Sequence, residues 1–141
     1  MSGPVDKDTL IALAEARLLE AQTLVDRRLW SGAHYLAGYV VELALKACIA
    51  NQFGARQIPD PKFVRSIFTH LPGELIVRSG LDELIKKDAA ADVELDRNWR
   101  IVSDWREDCR YELVAKDRAE AMVRSVGDPK SGVLQWIRRH W

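Results

Sequence analysis

The residues best able to do chemistry form one stripe of aromatic and charged side chains. Tyr35, Tyr39, Glu42 and Lys46 are spaced at i, i+4, i+7 and i+11, which places them on one face of an α-helix. The residues around them are almost all apolar, as is typical of a helix in the middle of a bundle. A carboxylate is costly to bury alone in such a helix, so we expect Glu42 to have a partner.

Two partners for Glu42 are open on the sequence alone. Lys46 lies one helical turn further along the chain. An arginine from another element would bind better, because its planar fork can make two parallel hydrogen bonds to a carboxylate. Arg110 is the candidate arginine, and Glu42 either makes a structural ion pair or faces a ligand cleft.

A second cluster of aromatic and basic residues occupies residues 98–111. It contains two tryptophans, one tyrosine and three arginines. We expect Trp99 and Trp105 to lie in the core. The alternative is that they stack on nucleic-acid bases or on arginine side chains. The Arg110-Tyr111 pair falls where a loop should lead into the next long helix.

Composition and missing motifs exclude several function classes. Lysine plus arginine and aspartate plus glutamate both number 21, so the zero net charge argues against nucleic-acid binding driven mainly by counterion release. The chain has no phosphate-binding glycine loop, no HExxH and no CxxC around Cys48 or Cys109. We therefore expect no metal and no cofactor.

Apolar periodicity predicts an all-α protein, a four- to five-helix up-and-down bundle in a single domain over residues 1–141. Asp8 is expected as the N-cap or as an acid in the first turn of the first helix, and Asp128 as the N-cap of the last one. His34 is expected at a helix start or on the surface, and residues 89–92 as a mobile connection. The uncharged stretch at 29–41 is too short to span a membrane, and no signal-peptide pattern is visible, so we expect a cytoplasmic location. The predicted main helices cover residues 8–29, 31–53, 93–105 and 115–126, with short helices from Pro61 to residue 88 and from Pro129 onward.

Residues 34–50, HYLAGYVVELALKACIA, resemble the second-helix signature of the HEPN family of helical domains. His70-Leu71, the Gly80-Leu81 pair, the Arg110-Tyr111-Glu112 run and the C-terminal GVLQWIRRHW resemble further family segments in the same order. The resemblance covers residues 8–141 and implies an HEPN-like bundle of antiparallel helices that is commonly a homodimer. It also implies a nucleotide or RNA ligand and, as a partner protein, a minimal nucleotidyltransferase.

The active branch of the family is a metal-independent endoribonuclease with an Arg-x4-6-His motif near the start of the last long helix. In that motif the histidine would serve acid–base chemistry and the arginine the phosphate charge. Here no histidine follows Arg110 within residues 111–117. A literal match at Arg65 to His70, RSIFTH, lies before the third long helix. We interpret it as a chance match in which His70 orders the following turn.

The resemblance therefore implies a non-catalytic HEPN-like domain that binds a nucleotide, RNA or a partner protein. Its cleft residues would be Tyr39, Glu42, Asp104, Arg110 and Tyr111. Two alternatives stay open. One is a toxin-like endoribonuclease with a displaced site, using Arg65 with His70 or Arg110 with Tyr111. The other is a helical scaffold outside the family.

Overall fold

The computed structural model describes residues 3–141, which form eight α-helices and no strand. The predicted all-α class is confirmed. The helices outnumber the four or five expected, because residues 61–91 form three helices and the C-terminal segment adds one more. The α-helices are α1 (Lys7–Asp26), α2 (Trp30–Ala50), α3 (Pro61–Ser66), α4 (Pro72–Arg78), α5 (Asp82–Ala91), α6 (Val93–Ser103), α7 (Lys116–Gly127) and α8 (Val133–Ile137), and a 3₁₀ helix covers Glu107–Tyr111.

Helix α2 is the core of the bundle. It packs along α1 and also contacts α4, α7, α8 and the 3₁₀ helix. In the described part of the chain it is the one helix long and apolar enough to cross a membrane by length and composition. In this structure, however, 67% of its most apolar 18-residue stretch is buried inside the protein. Its apolar surface is thus largely covered by the other helices, as the sequence pattern predicts.

Aspartate side chains begin three of the helices. Asp6 caps α1 by accepting a hydrogen bond of 2.7 Å from the Thr9 amide, and Asp8 is the acid of the first turn, one of its two expected positions. Asp92 caps α6 by accepting from the Leu95 amide. Asp128 was expected to begin the last helix, but it follows α7 and accepts from the Ser131 amide in a turn before α8. The third capping aspartate is Asp60, at the start of α3.

Residues 89–92, expected to form a mobile connection, are instead the end of α5 and the N-cap of α6, and Asp92 accepts a hydrogen bond of 3.0 Å from the Ser131 hydroxyl. Ala89 belongs to the last turn of α5 and is buried. Trp136 donates its indole N–H to Asp88 at 2.8 Å, and Asn98 donates to the Ser131 carbonyl at 2.9 Å. These bonds join α5 and α6 to the C-terminal segment, so the connection has partners that local sequence pattern does not reveal.

His34 was expected at a helix start or on the surface, but it is buried in the second turn of α2. Within the described residues its Nδ1 has no hydrogen-bond partner. The pKa of His34 is lowered to about 4, mainly by burial and also by the nearby Arg118, while Glu112 opposes the change. The imidazole is therefore neutral at pH 7.

This burial predicts a loss of stability in acid. Between pH 6.5 and about 4 the unfolded chain binds a proton on His34 that the folded chain does not bind. The free energy of unfolding should therefore fall by about 2 to 3 kcal/mol as the pH drops through this window. His34→Gln should remove that part of the pH dependence. Urea unfolding of both proteins at pH 7 and near pH 4 checks it, and parallel pH profiles would contradict the assignment.

Candidate functional site

Three segments of the chain meet along the polar stripe of α2. The stripe supplies Tyr39 and Glu42, and the loop between α3 and α4 supplies His70. The segment after α6 supplies Trp105 and the 3₁₀ helix with Glu107. The predicted stripe is thus on one face of α2, and two other segments cover it.

His70 lies between two carboxylates. Its Nδ1 is hydrogen-bonded to Oε1 of Glu42, and its Nε2 is 3.1 Å from Oε2 of Glu107. Glu42 is only 4% exposed. We call this arrangement the Glu–His–Glu bridge. It satisfies the requirement that a carboxylate in an apolar helix have a hydrogen-bond donor.

The two contacts of His70 together need one more proton than a neutral imidazole between two ionised carboxylates carries. A carboxylate only accepts hydrogen bonds, while a neutral imidazole has one donor and one acceptor nitrogen. Both nitrogens of His70 face carboxylate oxygens. Both contacts are therefore hydrogen bonds only when the imidazole is doubly protonated or one carboxyl group is protonated.

The predicted direct pair between Glu42 and Arg110 is wrong. The guanidinium of Arg110 lies 3.6 Å from Oε2 of Glu107, so it joins the bridge at its outer end. Lys46, the other partner expected from the sequence, does pair with Glu42, with Nζ 3.9 Å from Oε1. The sequence therefore identified the region of Arg110 but missed Glu107, the carboxylate that the arginine contacts.

Arg110 and Tyr111 form the exposed end of the site. The Arg110 guanidinium carbon lies 4.8 Å from the centre of the Tyr111 ring, within cation–π range. The Tyr111 side chain is 79% exposed. Asp104 is also exposed, at the C-cap of α6, and in the described chain no hydrogen bond or ion pair joins it to the other predicted cleft residues.

Aromatic side chains form the inner wall of the site. Trp105 is buried, as the sequence predicts, and packs against Tyr39 and Tyr35 with ring centroids 5.4 and 6.4 Å apart. The two tyrosine hydroxyls are 3.2 Å apart. Burial raises the pKa of Tyr39, with the hydrogen bond to Tyr35 adding to the effect, so its phenol stays protonated at neutral pH. The ring of His70 lies edge-on to that of Tyr39.

A cleft of about 350 Å³ opens beside the bridge. We call it the rim cleft. Its charged lining residues are Arg106, Glu107 and Asp108, and His70 and Phe68 also line it. The cleft therefore offers hydrogen-bond acceptors, a cation and an aromatic ring within one small volume.

The remaining predicted pair, Arg65 and His70, does not form a contact. Arg65 is exposed on α3, and among the described residues neither a hydrogen bond nor an ion pair joins the two side chains. His70 itself is the site residue that sequence reasoning undervalued. Its partner Glu42 lies 28 residues away, and the available signal was the need of Glu42 for a donor. Within residues 3–141 no group of three or more potential metal ligands is assembled.

No protein-family model, curated protein or solved structure matches the chain. The HEPN resemblance therefore stays a prediction from the sequence segments that carry it.

Packing at Gly38 predicts how the aromatic wall responds to mutation. An added Cβ would lie 1.9 Å from Cε2 of the buried Trp105 ring, so Gly38→Ala must displace the indole. We expect the variant to lose about 2 kcal/mol of unfolding free energy despite the better helix propensity of alanine. Gly73→Ala is the matched control, because nothing lies within 4 Å of its added Cβ. Urea unfolding followed by tryptophan fluorescence compares them, and equal stabilities would disprove this packing.

Proposed function

We propose that the chain is a non-catalytic HEPN-like domain, an up-and-down helical bundle that binds a nucleotide or short single-stranded RNA at the rim cleft. The observation that carries the proposal is the Glu–His–Glu bridge with Arg110 at its outer end. The inner end of the bridge is buried at Glu42, and at its outer end Arg110 lies beside the exposed Tyr111.

The groups around the rim cleft suit a nucleotide. Carboxylates such as Asp108 accept hydrogen bonds from the amino groups of a base. The guanidinium of Arg106 lines the cleft, and that of Arg110 contacts the lining residue Glu107; both can pair with phosphate. The exposed Tyr111 ring, next to Arg110, can stack on a base that extends beyond the cleft. This placement of charge is local, so it agrees with a chain whose total charge is zero.

Several features favour binding over cleavage. Both ring nitrogens of His70 are engaged by carboxylates, which leaves neither one free for a ribose hydroxyl or a leaving group. The negative charges of Glu42 and Glu107 would also oppose a scissile phosphate beside the imidazole. The endoribonuclease alternative, with Arg65 and His70 as its catalytic pair, therefore has less support.

A partner protein is the second candidate, supported by exposed apolar residues after the 3₁₀ helix. Leu113 is 99% exposed beside the exposed Tyr111. The Val114 amide donates to the Ser31 hydroxyl at 2.9 Å, which fixes this segment to the start of α2. A fixed and exposed apolar segment suits an interface, either with a second copy in a homodimer or with a minimal nucleotidyltransferase.

Binding is tested with the full chain in a thermal-shift and fluorescence-anisotropy panel of nucleoside phosphates and short labelled RNAs. We expect at least one ligand to bind, and Arg110→Ala to weaken it about ten-fold, since a lost charge-assisted contact is worth about 1.4 kcal/mol. Arg100→Ala is the matched control, because that arginine pairs with Asp96 on the exposed face of α6. It should leave the affinity unchanged.

Two outcomes would contradict this proposal. One is the absence of any ligand response on folded protein, and the other is an equal loss of affinity in Arg100→Ala and Arg110→Ala.

The same RNAs, incubated with and without EDTA, test the endoribonuclease alternative. Cleavage that disappears in the double variant Arg65→Ala/His70→Ala would establish catalysis in place of simple binding. Light scattering on the same samples measures whether the protein is a dimer.

A further inference from the structure

A second cavity, of about 450 Å³, lies among the N-terminal part of α1, the middle and end of α2, and the segment after α3. Most of its lining is aliphatic or aromatic, including Leu10, Leu43 and Ile49. The volume is in the range of small-molecule sites. We call it the α1–α2 cavity. It shares Phe68 with the rim cleft but has its own lining residues.

The mouth of the α1–α2 cavity carries exposed apolar side chains. Phe68 is 72% exposed, and Val5 and Phe53 are exposed as well. Exposure of large apolar side chains to water is unfavourable in free energy, and a bound ligand or partner that covers them removes this penalty. Three of them around one cavity therefore point to an apolar occupant.

Lys46 gives the cavity a specific charge. Its side chain lines the wall and is only 23% exposed. Its one ion pair in the described chain is the 3.9 Å approach to Oε1 of Glu42, and that oxygen is already hydrogen-bonded to His70. An ammonium group has three donors, so Lys46 has donors left for a ligand.

The other charged lining residue is Glu42, whose side chain is 6% exposed and turned to His70. A ligand in the cavity therefore meets one available positive charge and no second cation. A single carboxylate matches that charge. A doubly charged phosphate would be poorly neutralised and would lie close to the Glu42 carboxylate.

We propose that the α1–α2 cavity binds a small monocarboxylate with an apolar body, such as a medium-chain fatty acid, through an ion pair with Lys46. The carboxylate lies at the Lys46 ammonium, and the hydrocarbon chain covers Leu43, Phe53 and Phe68. The cavity shares Phe68 with the rim cleft, but Lys46 lines only the cavity and Arg106 only the cleft, so either proposed site can fail without the other.

Calorimetric titration of the full chain with octanoate, 1-octanol and octylamine tests the proposal on the unaltered protein. The three probes share one hydrocarbon chain and differ in the charge of the head group. We expect saturable one-to-one binding of octanoate, at least about ten-fold tighter than binding of either other probe. Equal affinities for the three, or no saturable octanoate binding below its micelle concentration, would overturn the proposal.

Variants locate the site. Lys46→Met keeps the length of the side chain and removes its charge, so octanoate affinity should fall about ten-fold or more. Lys46→Arg should retain binding. Lys86→Met, on the exposed face of α5, is the matched control and should bind like the unaltered protein. Ala50→Leu, which narrows the cavity, should weaken all three probes. Octanoate binding that survives both Lys46→Met and Ala50→Leu would place the ligand elsewhere and overturn the proposal.

Discussion

The structure depends on one constraint, which is that the most apolar helix of the bundle carries a carboxylate. Glu42 is buried in α2, where an unpaired negative charge would cost several kcal/mol. His70 supplies the donor, and this requirement holds the loop between α3 and α4 against α2. Through its other nitrogen His70 also holds Glu107, and with it the 3₁₀ helix that presents Arg110 and Tyr111.

Much of the fold follows from local sequence. The 3.6-residue period of the apolar residues predicts α1 and α2. The stripe from Tyr35 to Lys46 does lie on one face of α2, where Tyr35 contacts Tyr39 and Lys46 contacts Glu42. The burial of Trp105 follows from its size and its position just after α6, but Gly38 is what makes room for the indole. Local capping signals failed at Asp128, which follows α7 while Gly132 is the N-cap of α8.

The residues that complete the site could not be read from sequence because they are distant partners. His70 lies 28 residues from Glu42, in a segment without strong periodicity, and nothing in that spacing indicates contact. Arginine was the expected partner because it is the best general ligand for a carboxylate. Here a histidine takes that place, and the arginine contacts the second carboxylate of the bridge instead. Its contacts with Glu42 and Glu107 make His70 a structural link between α2, the loop before α4 and the 3₁₀ helix.

Glu42 also connects the two candidate sites. It is one end of the Glu–His–Glu bridge beside the rim cleft and also part of the wall of the α1–α2 cavity, next to Lys46.

The most direct test of the account is a double-mutant cycle on the free energy of unfolding with Glu42→Ala and His70→Ala, compared with a cycle of Glu42→Ala and Arg110→Ala. The account predicts a coupling energy of about 2 kcal/mol for Glu42 with His70, and about 0.5 kcal/mol or less for Glu42 with Arg110. The reverse order of the two coupling energies would contradict it.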